Sequence, residues 1–225
     1  GMYLTFFTKQ GIVKKTDLMD YSRIRNGGLR AIELVEGDSL INVLLTNGEQ
    51  NVLIGTRNGM AIQFNERDVR GMGRTARGVR GIRLNSGDYV IGACIAPHDG
   101  ELLVVTENGY GKKTPFSEYK IQTRGGKGIF TYRITDKTGK LAGLTEVEST
   151  DDIMLITSDG VLIRTESSEI STYGRQTQGV KIMRLDDGVK LVSMAKTPHE
   201  DEEENADVSE DANTSQDAST DTDSE

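Results

Sequence analysis

The sequence has no tryptophan, one cysteine, two histidines and three prolines in 225 residues, and each scarcity removes a class of protein. A lone Cys94 cannot close an internal disulfide. Set in the apolar run Val90–Ile95, it reads as a buried structural thiol, which points to a reducing, cytoplasmic setting. Two histidines and one cysteine do not make a zinc site of the usual type, so no metal and no cofactor are expected. Without tryptophan there is no Gly-His…Trp-Asp repeat, which excludes an ordinary WD propeller. No apolar run approaches the roughly 18 residues of a membrane span. No signal peptide is visible, and Gly1-Met2 reads as a cloning remnant. Phosphate-binding signatures are missing too: there is no Gly-Lys-Ser/Thr loop, and Arg70-Gly71-Met72-Gly73 is too short for G-x-G-x-x-G. With no catalytic constellation, an enzyme sited in a central channel is the weakest reading.

Glycine, by contrast, is plentiful at 26 residues against only three prolines, the mark of many tight turns rather than of low complexity. The formal charge of −8 conceals two segments of opposite sign. Residues 199–225 hold 12 acids and no lysine or arginine, which leaves residues 1–198 with 27 basic and 23 acidic residues. The expected organisation is therefore a mildly basic folded body, 1–198, and an acidic tail, 199–225. The tail has too little to bury to offset its ordering entropy and is expected to be disordered. As a tethered polyanion it could compete with an anionic partner for the body, or simply keep the protein soluble.

The body is an internal repeat. Four turn signals share the pattern T-x-[NDQ]-G: Thr8–Gly11, Thr56–Gly59, Thr106–Gly109 and Thr157–Gly160, with glycines 48, 50 and 51 residues apart. Asn-Gly and Asp-Gly between apolar runs predict hairpins with type I′ turns. Each hairpin is followed by an acid (Asp20, Asp68, Glu118, Glu169) and then by a glycine, assigned as Gly28, Gly78, Gly125 and Gly179. A basic residue stands two positions later, at Arg30, Arg80, Lys127 and Lys181. A third strand is expected at 31–34, 81–84, 129–132 and 182–185, and a fourth at 40–45, 90–95, 141–144 and 191–194. Four short strands at a period near 50 predict an all-β, propeller-like array of four-stranded blades, in units of about 3–47, 51–97, 101–147 and 152–197. An acid that recurs once per unit is read as structural.

The basic residues are the candidate site. Arg67, Arg70, Arg74, Arg77, Arg80 and Arg83 fall within 17 residues, opposed only by Asp68. Related positions recur as Arg23, Arg25 and Arg30 in the first unit, Arg124 and Lys127 in the third, and Arg175, Lys181 and Arg184 in the fourth. A second column lies just past the hairpins at Lys14, Lys15, Lys112, Lys113 and Arg164, with Gln63 interrupting it. Point charges repeated once per blade make a belt suited to the phosphates of a bent duplex. Such a belt carries no base-reading logic, so binding of double-stranded DNA should be largely independent of sequence. Aromatics make up 5% of the chain and do not interleave with the basic residues, which disfavours a single-strand stacking platform. A propeller-like protein-interaction scaffold is the alternative from another class.

With these residues assembled, the body closely resembles the family of DNA gyrase A C-terminal domains, from about Tyr3 to Lys196. The most specific segments are Asn108–Thr114, Arg77–Leu84 and Gly174–Val180. The paralogous topoisomerase IV domain is similar and ranks second. The resemblance implies a β-pinwheel, a disc whose blades exchange strands with their neighbours and whose basic perimeter wraps DNA to support negative supercoiling. It also implies that the fragment is monomeric and not itself an enzyme. The cleavage tyrosine belongs to the N-terminal part of the gyrase A polypeptide, none of the seven tyrosines here inherits it, and ATP hydrolysis belongs to the gyrase B polypeptide. Two features depart from the family pattern. Such domains normally have six blades, which would place further blades before Gly1. The family's basic heptapeptide normally sits in its first blade, whereas here Gln122–Gly128 matches it at all but the second position and lies in the third unit, as a copy in another blade.

Overall fold

The computed structural model describes residues 1–199; the acidic stretch assigned as the tail lies outside the described residues from 200 onward. Each unit opens with a hairpin: β1 (Tyr3–Thr8) with β2 (Ile12–Asp17), β4 (Asn51–Thr56) with β5 (Met60–Asn65), β8 (Glu101–Thr106) with β9 (Tyr110–Pro115), and β12 (Asp151–Thr157) with β13 (Leu162–Glu166). The pairings Phe7↔Val13, Gly55↔Ala61, Val105↔Gly111 and Ile156↔Leu162 leave a longer connection than the two-residue type I′ turn anticipated from sequence. The glycine amide instead closes a four-residue turn onto the threonine carbonyl, as in Gly59 N to Thr56 O at 3.1 Å, with Gly59 at φ +85°. This is the three-residue loop of a type I turn followed by a left-handed glycine. The threonine side chain braces the same loop, since its Oγ1 accepts the amide just past the glycine, from Ile12, Met60, Tyr110 and Val161 at 3.0–3.2 Å.

A 3₁₀ turn follows each hairpin, at Leu18–Tyr21, Glu66–Asp68, Phe116–Glu118 and Ser167–Glu169, and it contains the recurring acid. The long strands β3 (Leu40–Thr46), β7 (Val90–Ile95), β11 (Leu141–Val147) and β15 (Leu191–Pro198) return against the first strand of each hairpin. They pack in succession, β3 on β7, β7 on β11 and β11 on β15. Ile41, Ile91, Ala142 and Val192, one from each, line a shared axial cleft.

The third strands differ most from the sequence reading. They are two residues long and begin earlier: β6 (Val79–Arg80), β10 (Ile129–Phe130) and β14 (Val180–Lys181). Each pairs with the hairpin of the preceding unit, in the orders β3-β1-β2-β6, β10-β5-β4-β7 and β11-β8-β9-β14. The blades therefore exchange strands, as the resemblance implied. Residues 31–34 of the first unit form no strand, and the fourth sheet has three strands, β13-β12-β15. Gly128, not Gly125, is the counterpart of Gly78 and Gly179: in all three a Cβ would lie within 2.6 Å of a backbone carbonyl of the preceding blade. It follows that the residue two beyond it in the third unit is Phe130 rather than Lys127.

Because blades stack face to face, a hairpin between two neighbours is covered on both surfaces, and its strands read as apolar runs rather than alternating ones. Three cores fill the three junctions. Phe7, Val13, Val52 and Ile54 join the first two blades, Leu53, Cys94, Leu102 and Val104 the next two, and Leu103, Val105, Ile153 and Leu155 the last two. One residue just beyond each exchanged strand, Ile82, Tyr132 or Met183, wedges into its junction, at 1%, 1% and 7% exposure. Burying a side chain of this size contributes about 2 kcal/mol. Cys94 is buried, and burial pushes its thiol pKa well up, as expected of an inert structural cysteine.

Candidate nucleic-acid interface

The sheet order decides which charges face outward. The strand lining the axial cleft is innermost and the exchanged strand outermost, so the exchanged strands and the loops feeding them form the perimeter. Arg80 and Lys181 lie on these outermost strands and are exposed. Arg67, Arg70, Arg77, Arg83, Lys127 and Arg184 are exposed, and Arg74 is half-buried. Arg23, Arg25 and Arg30 are exposed on the corresponding segment of the first unit.

Several of these groups already have partners. Arg67 pairs with Glu49 at 2.6 Å, and Arg77 with Glu33 at 2.8 Å, both in exposed settings where an ion pair contributes little and yields readily to a phosphate. Arg124 donates to the carbonyls of Asp68 (2.9 Å) and Arg80 (3.0 Å). Arg175 donates to that of Phe130 at 2.7 Å and lies over the Tyr119 ring. These two stitch one blade's loop to the preceding exchanged strand. Arg164 is bound to the buried Asp152. By contrast Arg70, Arg74, Arg80, Arg83, Lys127, Lys181 and Arg184 make no ion pair among the described residues.

The second lysine column is a correction. Lys14, Lys15, Lys112 and Lys113 are buried, at 0%, 6%, 0% and 6% exposure, and cannot reach a duplex on the perimeter. Adjacent strand residues point to opposite faces, and here both faces are covered: Lys14 lies under the Ala31 loop of its own unit and Lys15 against Glu66 of the next blade. Their ammonium groups cap backbone carbonyls and neighbouring acids instead. Lys112 Nζ donates to the carbonyls of Gly174 (2.7 Å), Arg175 (2.6 Å) and Thr177 (3.2 Å). Lys14 donates to Ala31 at 2.6 Å and Lys15 to the Glu66 carbonyl at 2.8 Å, while Lys113 lies 3.5 Å from Glu101. Burial lowers the pKa of Lys14 and of Lys112 to about 8.

Two residues escaped the sequence reading. Arg133 is exposed and stands five positions after Gly128, as Arg83 does after Gly78 and Arg184 after Gly179. That common spacing was the available signal, hidden by aligning on Gly125. Glu66 is fully buried; its carboxylate accepts Thr46 Oγ1 (2.7 Å) and the amides of Gly48 (2.9 Å) and Gln50 (3.0 Å). Nothing in its neighbourhood of the sequence marks it off from an exposed acid. Among the described residues no group of three or more His, Cys, Asp or Glu is placed to hold a metal ion, and no helix is long and apolar enough to cross a membrane.

The sequence matches the family described as DNA gyrase C-terminal domain, beta-propeller, over residues 3–47, 50–93, 100–148 and 151–198. It is 48% identical over 202 residues to the DNA gyrase A polypeptide of Staphylococcus epidermidis and 45% identical over 207 residues to that of Staphylococcus aureus. These alignments take in 89% and 91% of the chain and 23% of each relative, so the chain spans about a quarter of their length. Among solved structures, the C-terminal domain of DNA topoisomerase IV superposes with a TM-score of 0.83 and that of DNA gyrase A with 0.78, each at 28% identity. The first covers 88% of this chain and 62% of its own, the second 87% and 65%. Fold similarity does not separate the two paralogues, whereas both sequence relatives named above are gyrase A polypeptides. The chain belongs to the DNA gyrase C-terminal domain family.

Proposed function

We propose that the outer perimeter binds double-stranded DNA through its phosphates, independently of sequence, and bends the duplex around the blades. The observation that carries this reading is the placement of arginine at matching positions of successive blades, on or beside the outermost strand: Arg74, Arg124 and Arg175 in one column, Arg83, Arg133 and Arg184 in another. Point charges at a blade-to-blade interval suit a duplex whose phosphates come round repeatedly. Arg30, Arg70, Arg77, Arg80, Lys127 and Lys181 supply further contacts. Arg25 and Arg67 stand at the margin of the same surface. In the longer protein the wrapped segment would be handed to the N-terminal part of the gyrase A polypeptide, working with gyrase B, to support ATP-dependent negative supercoiling in the bacterial cytoplasm.

Closing a nicked plasmid with ligase in the presence of the chain tests the wrap. The reading expects a linking-number change that grows with protein concentration. Plasmid closed with no change, although DNA is bound, would reduce the function to binding without wrapping.

A further inference from the structure

The outer edge of each of the first three blades offers the same two places. One is the second residue of the exchanged strand, which is Arg80, Phe130 and Lys181 in turn. The other is a residue that makes a single parallel bridge to the same hairpin strand: Gly71 to Lys15, Ile121 to Gln63 and Thr172 to Lys113. The edges on β2 and β9 therefore present a glycine or a threonine together with a cation. The middle edge, on β5, presents isoleucine and phenylalanine instead. Both are exposed, Ile121 at 60% and Phe130 at 58%. This blade has a described neighbour on either side, and neither covers these two side chains.

Cations surround the pair. The segment that joins them, Gln122–Gly128, carries Arg124 and Lys127. Arg175 donates to the Phe130 carbonyl at 2.7 Å. Arg133 and Phe130 line one cleft of about 460 Å³, with Asn58, Tyr132, Ile134 and Gln176. Lys127 and Arg133 make no ion pair among the described residues. One exposed apolar side chain is ordinary. Two on one edge, where the sister blades place a cation and a small residue, make a surface of mixed chemistry. A protein that covered the ring would also have to take Lys127 and Arg133 out of water, which is unfavourable unless each finds a partner. A duplex meets both needs, because its phosphates take the cations while its stacked bases offer an apolar contact.

We propose, resting on the reading of the perimeter as a DNA surface, that Phe130 is a wedge. It enters between neighbouring base pairs, with Ile121 as a second apolar contact, and kinks the duplex where it passes the second blade. Phenylalanine is among the side chains that part a base step, and the unstacking is offset by the longer stretch of bent duplex brought against the protein. The wedge reads no base edges; it favours steps that unstack easily. It fixes one point of the bend, where the arginine columns alone would allow a smooth curve.

Anisotropy titrations of the full chain test this, with two short duplexes that differ only in a central T·T mismatch, each carrying 2-aminopurine beside that position. The parent should bind the mismatched duplex about tenfold more tightly, because the mismatch lowers the cost of unstacking, and the 2-aminopurine should brighten on binding. Phe130→Ala should lose the preference and the brightening and keep the parent's salt slope. Phe130→Lys gives this edge the residue that the next exchanged strand carries as Lys181. It should lose them too, and steepen the slope by about 0.9, one phosphate contact. It also carries the test should Phe130→Ala fold poorly. Preference and brightening retained in either folded variant would overturn the wedge, since the flexibility of the mismatch would then account for them. Equal binding of both duplexes by the parent, with normal salt dependence, would overturn it as well. No salt-dependent binding of either duplex by the parent would instead remove the perimeter reading itself, and the wedge with it.

Discussion

Single residues divide into buried charges that hold the blades together and exposed charges proposed to meet DNA, with Arg124 and Arg175 bridging blades from the surface. Lys112 illustrates the first kind: three loop carbonyls converge on its ammonium. Lys112→Met should lower stability by about 1–3 kcal/mol, the cost of leaving such acceptors unsatisfied, and leave the salt dependence of DNA binding unchanged. A slope smaller by about 0.9, one phosphate contact, would mean that this lysine touches DNA after all. Lys14 and Lys112 also predict a pH effect. Each titrates at about 8 when folded, against the ordinary 10.5. Between these values the unfolded chain binds more protons than the folded one, so the two residues make stability rise with pH. From about pH 7.5 to 9.5, the urea midpoint of the parent should therefore gain more than that of a Lys14→Met/Lys112→Met variant; equal gains would show that the two lysines are not held down by burial.

Among the elements, the exchanged strand is the unit that makes separate hairpins into one array. Its glycine has to accept both a positive φ and a carbonyl in close approach, which only the hydrogen side chain allows. Gly128→Ala should cost well over 2 kcal/mol, because the left-handed strain of about 1–2 kcal/mol is joined by a clash with the Ala61 carbonyl at 2.3 Å. Gly28→Ala, where a Cβ would meet nothing within 4 Å, should cost only the strain. Thermal melts of the two variants make the comparison, and equal losses would contradict the strand-exchange geometry. The hairpins were legible in the sequence because Thr-x-x-Gly is a local signal: threonine and glycine each answer a need within five residues. The exchange strands were not. Two residues of pairing leave no periodicity to read, and the partner lies in a different repeat. Lys14 and Lys112 looked like surface charges for the same reason, since what buries them comes from elsewhere along the chain.

At the scale of the whole molecule, the blade period and the all-β architecture follow from the sequence, and with the exchanged strands outermost, the arginine columns fall on the perimeter. The second lysine column was misplaced because the repeat gives position along a strand but not which neighbour covers its faces. In the proposed function, perimeter arginines bind phosphates without reading bases. The most direct test measures duplex affinity against salt for the parent and for Arg74→Ala/Arg77→Ala/Arg80→Ala, on two unrelated sequences. Exposed substitutions of this kind usually alter stability by no more than about 0.5 kcal/mol, so the variant should remain folded. The claim predicts weaker binding to both sequences alike and a log–log slope shallower by up to about 3 units. An unchanged slope, or a loss confined to one sequence, would contradict it.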